Sequence, residues 1–137
     1  MIRLATLNDI ESLNSLLKVF HILLTEEEFR THPFSKYILY KEGRELIGFL
    51  NYEEIYERYE IDYIYVKEEY RRKGIASQML SFLLKEAEKK EIDNITLEVS
   101  KNNKEARNLY DKHGFKFAAK RKQYYGTDDA YLLIRKL

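Results

Sequence analysis

Hydrophobic residues in the middle of the chain come in short runs that alternate with polar side chains. Three such runs, dense in Tyr, Ile and Leu and separated by short polar breaks, predict three consecutive antiparallel strands. They are residues 36–42, 44–55 and 58–67. A fourth strand is predicted at 94–100, in which Ile95, Leu97 and Val99 face one way and the polar residues between them face the other.

On either side of these strands, apolar residues recur at the three- and four-residue spacing of a helix. This spacing predicts a long helix over 75–90. Thr6 and Asp9 form a variant of the capping box and predict the start of an amphipathic helix near the N-terminus. A second short helix is predicted at 25–31, because acidic residues fill its first turn.

The C-terminal third of the chain predicts one more helix and a hairpin. The helix is predicted to be capped by Asn102, with Glu105 three residues later, and to end at Gly114. Two strand-like stretches, 115–125 and 128–137, then predict a closing hairpin.

With a first strand at 2–5, the predicted order of elements is βαα-βββ-α-β-α-ββ. The strand–helix–strand unit spanning 60–100 implies one parallel pair in an otherwise antiparallel sheet. We therefore predict an α/β (α+β) fold with a mixed, mostly antiparallel sheet of about six to seven strands and four helices. Residues 1–137 are expected to form a single domain.

The composition is that of an ordinary globular protein, with 45% hydrophobic and 34% charged residues. No Cys occurs, which excludes disulfides, thiolate metal sites and a Cys nucleophile. The sequence begins MIRLATLNDIESL, without the basic region and apolar run of a signal peptide, and it contains no apolar stretch of about 18 residues. We expect a soluble cytoplasmic protein that does not enter a membrane.

The formal net charge of the chain bears on which classes of partner it can bind. The chain has 24 basic and 23 acidic residues, and this formal net charge of +1 argues against a broad nucleic-acid-binding surface. It leaves room for a small, local basic site. His21, His32 and His113 show no metal-ligand spacing, so no metal site is predicted and all three are assigned structural roles.

Such a local basic site is predicted at the sequence RRKGIA, residues 71–76, between a strand and a helix. Its three cations crowd a helix N-terminus, which already carries a partial positive charge. Backbone N–H groups at a strand-to-helix turn that contains Gly favour an anion. The alternative is a solvated basic turn.

The segment from Val66 to Ala76 resembles the acetyl-CoA loop of the GNAT N-acetyltransferases, whose pattern is [QR]-x-x-G-x-[GA] after a strand. The predicted order of elements is similar to that family's fold. The resemblance implies acetyl-CoA as the cofactor, with its pyrophosphate on the backbone amides of the loop. The cofactor-binding residues implied in this region are Ile64, Tyr65, Val66, Arg71, Arg72, Lys73, Gly74, Ile75, Ala76 and Ser77.

A second constellation spans residues 97–115, where Glu98 lies on the polar face of a strand and Tyr110 on the apolar stripe of the following helix. Taken singly, they read as a solvent-facing Glu and a core Tyr. Together, the pattern LEV…N…A…LY…GF resembles the GNAT branch that acetylates protein N-termini, and most closely the bacterial ribosomal-protein alanine N-acetyltransferases (RimI type). The resemblance implies that Glu98 is the general base, that Tyr110 is the general acid, and that Asn103 contacts the pantetheine region of the cofactor.

A third feature, RKQYYGTDDAY, resembles the family's Arg-x-x-Tyr-Tyr segment and implies that Tyr124 and Tyr125 line the acceptor site. Because neighbouring residues in a strand face opposite ways, only one of the two is expected to point into a cleft. A simple aromatic hairpin is the alternative.

The resemblance implies an enzyme that acetylates the N-terminus of a protein partner, with a ribosomal protein favoured, and that works as a monomer or weak dimer. A Lys side chain, a small amine or an aminoacyl-tRNA are alternative acceptors, and a non-catalytic module that binds coenzyme A is an alternative of another class. The sequence departs from the RimI type in two places. In the RimI type, the segment that joins the first two helices usually carries a Pro-Trp-Ser-like element, whereas here it has no Trp and its Pro33 comes late. The family also usually has an Asp-Pro or similar pair after the strand, where this chain has Lys67–Glu68.

Overall fold

The computed structural model contains a seven-stranded sheet and, in the described residues, four α-helices, of which α1, α3 and α4 contribute buried residues to the hydrophobic core. It describes the backbone of residues 1–125 and 128–137, and the side chains of these residues other than 123–125. The strands are β1 (Ile2–Leu4), β2 (Ser35–Glu42), β3 (Glu45–Ile55), β4 (Arg58–Val66), β5 (Asn94–Ser100), β6 (Lys116–Tyr125) and β7 (Asp128–Lys136). The helices are α1 (Ile10–Leu17), α2 (Glu26–Thr31), α3 (Ile75–Lys89) and α4 (Lys104–Lys112). The predicted order of elements is confirmed.

The sheet has the strand order β1-β2-β3-β4-β5-β7-β6, and β4 and β5 form the parallel pair that the sequence predicted. Their pairing runs only from Arg58 opposite Asn94 to Ile61 opposite Leu97. Both strands continue beyond this point, to Val66 and Ser100, while paired with their other neighbours. We call the unpaired end of this strand pair, residues 62–66 and 98–100, the β4–β5 gap.

A β-bulge in β4 lies at the start of this gap. In the register with β3, Tyr52 pairs with Ile61 and Asn51 with Tyr63, which leaves Asp62 without a partner. The extra residue changes which side chains face which way. As a result, Ile64 packs into the core beneath α3, as does Ile61 before the bulge. The sequence predicted the strand but not the bulge.

Two hydrophobic clusters cover the two faces of the sheet. One contains the buried face of α3 and residues from the end of β5 and α4, including Val99 and Tyr110. The other packs α1 against β2 and β3 through Leu13, Leu17 and Phe49. In the described part of the chain, no helix is both long enough and apolar enough to cross a lipid bilayer.

The N-terminal capping pair forms as predicted, with an additional partner. The Thr6 amide donates to Asp9 Oδ2 at 2.8 Å, and a 3₁₀ turn over Leu7–Asp9 leads into α1. Arg3 also donates to both oxygens of this buried carboxylate, at 2.7 and 2.8 Å. These hydrogen bonds hold the pKa of Asp9 well below its usual range, so the pair is ionised at neutral pH.

The predicted cap of α4 is wrong by one residue. Asn103, and not Asn102, caps the helix, because its side chain accepts a hydrogen bond from the Ala106 amide at 3.1 Å. The Asn102 side chain instead donates to Asp128 Oδ1 in β7 at 2.8 Å. The two adjacent Asn residues have equal capping ability, so this long-range contact decides between them.

Candidate active site

A cavity of about 720 Å³ lies between the end of β4, the turn that leads into α3, and one face of α4. All but one of the sequence-predicted cofactor residues line it, and Lys73 is the exception. Those residues are Ile64, Tyr65, Val66, Arg71, Arg72, Gly74, Ile75, Ala76, Ser77 and Asn103. The structure therefore brings together two segments that are about 30 residues apart in sequence.

The N-terminus of α3 opens into this cavity with its first amides uncapped. Gly74 is the N-cap residue, with φ +78°, and no side chain caps the helix. The first backbone hydrogen bond of the helix runs from the Gln78 amide to the Gly74 carbonyl at 3.0 Å. The amides of residues 75–77 therefore have no intrahelical partner. No acidic residue lies in this first turn. These donors and the helix dipole favour an anion.

The space beside Gly74 is open. A Cβ placed there would meet nothing within 4 Å. Positive φ explains why Gly suits this position, and the open space lets a ligand approach the backbone closely. Arg72 also has a positive φ of 63°. The two left-handed residues stand on either side of Lys73, so the chain changes direction sharply just before α3 begins.

The three cations of this turn have different roles. Arg71 Nε donates to the Val66 carbonyl at 2.8 Å, and its guanidinium lies 5.5 Å from the Tyr65 ring centre, so this residue holds the turn against β4. Lys73 Nζ lies 5.4 Å from the ring centre of Tyr70. Of these three cations, Arg72 is the one that is exposed, lines the cavity and has no such side-chain contact among the described residues. The sequence had grouped all three as cofactor residues.

One face of α4 forms the opposite wall, and most of its residues were not predicted from the sequence. Beyond Asn103, whose side chain is engaged in capping, the wall has residues at the spacing of one helical face. They are Glu105, Ala106, Asn108, Leu109 and Lys112. Tyr70 also lines the cavity. The amphipathic spacing of α4 predicts that these residues share one face of the helix, but it does not predict which other element that face packs against.

The side chains of Glu98 and Tyr110 lie on opposite faces of the sheet. Glu98 belongs to β5 itself, whereas Tyr110 belongs to α4. Glu98 is 19% exposed and its Oε1 lies 3.0 Å from the Arg121 guanidinium of β6. Tyr110 is 5% exposed and packs edge-on against Phe115, with 5.6 Å between ring centres. Neither residue lines the cavity. Glu98 lies at the β4–β5 gap, and Tyr110 belongs to the same hydrophobic cluster as Val99 of that gap.

The sequence-predicted acceptor residues Tyr124 and Tyr125 have side chains that lie outside the described residues. The backbone of both belongs to β6.

An acidic cluster lies at the bulge beside the gap. Oxygens of Glu53, Glu60 and Asp62 come within 4.8 Å of one another, and among the described residues this is the one group with the spacing to hold a metal ion. Although Asp62 keeps part of its surface exposed, burial raises its pKa to about 7, with the hydrogen bond and charge of Glu53 and the charge of Glu60 as further causes. A shared proton thus allows the three carboxyls to coexist.

This cluster makes stability depend on pH. A carboxyl whose pKa is raised by folding contributes stability below its unfolded pKa of about 3.9, and this contribution is lost as pH rises through about 7. Asp62→Asn, which cannot ionise, is expected to raise the free energy of unfolding relative to wild type at about pH 8 and by clearly less at about pH 5. Urea unfolding at the two pH values checks this. The exposed Asp93→Asn serves as the control, and an equal effect of Asp62→Asn at both pH values would contradict the shifted pKa.

Among known proteins, this chain is similar in sequence to N-acetyltransferases. The N-alpha-acetyltransferase of Saccharolobus solfataricus is 43% identical over 76 residues, which cover 54% of this chain and 46% of that protein. The ribosomal protein bS18 alanine N-acetyltransferase of Escherichia coli is 38% identical over 66 residues, which cover 48% of this chain and 45% of that protein. The chain thus aligns with less than half the length of these curated relatives.

The fold comparison extends over the whole chain. The crystal structure of the Escherichia coli ribosomal-protein alanine N-acetyltransferase superimposes with a TM-score of 0.84 over 99% of this chain and 94% of that one. At 21% identity, this likeness establishes the fold alone. A family model described as the acetyltransferase (GNAT) family matches residues 6–115. Because that match covers most of the chain, the protein belongs to the GNAT acetyltransferase family.

Proposed function

We propose that the protein transfers an acetyl group from acetyl-CoA to the α-amino group of a protein N-terminus, with a ribosomal-protein alanine as the favoured acceptor. The observation that carries the proposal is the uncapped N-terminus of α3, open to a cavity that borders the β4–β5 gap. The names of the relatives from Saccharolobus solfataricus and Escherichia coli support a protein N-terminus as the acceptor. We place the reaction in the cytoplasm.

The residues around the cavity fit coenzyme A. The free amides from Ile75 to Ser77 and the cation of Arg72 suit a pyrophosphate, and the open space beside Gly74 permits its close approach. The α4 wall contributes the apolar side chain of Leu109 and the amide of Asn103 for the rest of the molecule. When bound, acetyl-CoA supplies an activated acetyl thioester. With no Cys in the chain to accept an acetyl group, we propose direct transfer within a ternary complex.

The chemistry of the acceptor sets what Glu98 has to do. A protein α-amino group has a pKa of about 7.7–8, so roughly a quarter to two-fifths of it is neutral at about pH 7.5, whereas a Lys side chain is only about 0.1% neutral. An N-terminal acceptor therefore needs only a weak base. The ion pair with Arg121 holds the Glu98 carboxylate in place, and an ordered water is the proposed relay for the proton.

Tyr110 is the proposed source of the proton for the departing sulfur. A phenol is protonated at neutral pH and can donate. Its buried position between α4 and β5 limits competition from bulk water. Glu98 on one face of the sheet and Tyr110 on the other thus divide the two proton transfers.

Acetylation assays with synthetic acceptors test the proposal. The purified protein with acetyl-CoA is expected to acetylate a peptide that begins with Ala, and to act far more slowly on the same peptide with a blocked N-terminus and an internal Lys, on a polyamine, or on an aminoacyl-tRNA. Released coenzyme A can be followed with a thiol reagent without background, because the chain has no Cys. Mass spectrometry then locates the acetyl group.

Two other outcomes would contradict the proposal in different ways. Faster acetylation of Lys, a polyamine or aminoacyl-tRNA would overturn the acceptor. Tight binding of coenzyme A without turnover on any acceptor would instead support the non-catalytic alternative. Comparing protein N-termini by mass spectrometry in cells with and without the gene identifies the natural acceptor, and loss of acetylation at one ribosomal protein is the expected result.

A further inference from the structure

One polar contact joins the two helices that form opposite walls of the cavity. Ser77 in the first turn of α3 and His113 at the C-terminal end of α4 approach to 2.7 Å between Oγ and Nε2. Ser77 lines the cavity, and its amide is one of the uncapped donors of α3. The sequence had assigned His113 only a structural role.

The backbone of His113 is held in place by a contact with β7. Its backbone carbonyl accepts a hydrogen bond from Arg135 Nε of β7 at 3.0 Å. The next residue, Gly114, has φ +83°, and a Cβ there would meet the Arg135 side chain at 2.7 Å. The end of α4 is therefore packed closely against β7, and the His113 ring extends from this anchored end to α3.

The half-buried ring is suited to a neutral hydrogen bond. Burial lowers the pKa of His113, so the imidazole is neutral at about pH 7 and has one N–H and one lone pair. In either tautomer, Nε2 forms a bond with the Ser77 hydroxyl, which both donates and accepts. This bond restricts the first turn of α3, whose amides face the cavity.

We propose that His113 is a positioning residue for coenzyme A, which through Ser77 holds the first turn of α3 at a fixed distance and orientation from α4. The inference rests on the proposed function, since the ligand in question is coenzyme A. His113 does not line the cavity, so it acts through Ser77 and not by direct contact. Without this bond, the amides of α3 must be ordered when the ligand binds, and that ordering weakens affinity.

The test measures binding of coenzyme A by calorimetry to wild type, His113→Leu and His113→Gln. His113→Leu introduces an apolar side chain that cannot form the bond, whereas His113→Gln retains a group that can hydrogen-bond Ser77. We expect His113→Leu to raise the Kd about threefold to tenfold, the range for one net hydrogen bond, and His113→Gln to stay near wild type. The exposed His32→Leu is the matched control and should leave the Kd unchanged.

A kinetic measurement and a second variant separate positioning from folding. His113→Leu should raise the KM for acetyl-CoA while kcat at saturation is retained. Ser77→Ala should weaken binding as well, and the double variant should bind no more weakly than the weaker single variant, because both remove one bond. If His113→Leu does not fold, weak binding by Ser77→Ala together with wild-type affinity of His113→Gln supports the same conclusion.

The results that overturn the inference differ from those that overturn the function. Wild-type affinity in His113→Leu, or equally weak binding by His113→Leu and His113→Gln, rules out positioning through the hydrogen bond. Wild-type protein that does not bind coenzyme A at all would overturn the proposed function itself.

Discussion

Replacing either Glu98 with Gln or Tyr110 with Phe is expected to lower kcat for acetyl transfer by roughly 10²-fold or more, the usual contribution of a positioned general acid or base. Both changes are nearly isosteric. Phe at position 110 keeps the edge-on packing against Phe115, and Gln at 98 keeps a hydrogen-bonding group beside Arg121. The loss should therefore appear in kcat, while the Kd for coenzyme A changes little, because neither side chain lines the cavity.

Steady-state rates with a saturating N-terminal peptide and thermal unfolding of each variant check this expectation. Tyr40→Phe is the matched control, since Tyr40 packs against the same core from β2, three strands from β5. It should leave kcat unchanged. Full activity in both the Glu98 and the Tyr110 variants would remove these residues from the proton transfers and leave only the binding part of the proposal.

Gly48→Ala is expected to destabilise the protein and to weaken coenzyme A binding at the same time. A Cβ on Gly48 would lie 2.6 Å from the Tyr65 carbonyl oxygen and 3.3 Å from Val66 Cα, and these backbone atoms cannot move aside as a flexible side chain can. Relief of the clash has to shift β3 from the end of β4, at a free-energy cost of about 1–3 kcal/mol. Tyr65 and Val66 line the cavity, so the same shift is expected to disturb the proposed coenzyme A site.

Gly43→Ala separates a steric clash from backbone strain. Gly43 has φ +59° in the turn between β2 and β3, and a Cβ there would meet nothing within 4 Å. Its replacement should lower the free energy of unfolding by about 1 kcal/mol through strain alone and leave the Kd for coenzyme A unchanged. Urea unfolding and calorimetry measure both quantities. A Gly48→Ala protein with wild-type affinity would show that the end of β4 adjusts without affecting the cavity.

Local patterns in the sequence were sufficient for the elements and their order. Strand alternation, helical spacing and the change between them depend on neighbouring residues, and the parallel pair follows from the connection through α3. The residues of the turn before α3 were also recognisable, because a helix N-terminus crowded with cations and without acids is unusual within a few residues of sequence. The choice of Asn102 over Asn103 as a cap failed because Asp128, far along the chain, competes for Asn102.

The features that shape the candidate site arise from contacts between distant segments. The bulge at Asp62 depends on the register of β4 against β3. The Glu98–Arg121 ion pair forms because β5 and β6 lie on either side of β7 in the sheet. The Ser77–His113 hydrogen bond depends on the packing of α3 against α4. Residue types and spacing thus determined the fold and the position of a candidate anion-binding turn. Only tertiary packing decided which of the three cations stays available, which face of α4 closes the cavity and what holds that cavity's walls together, because these depend on distances that no local period encodes.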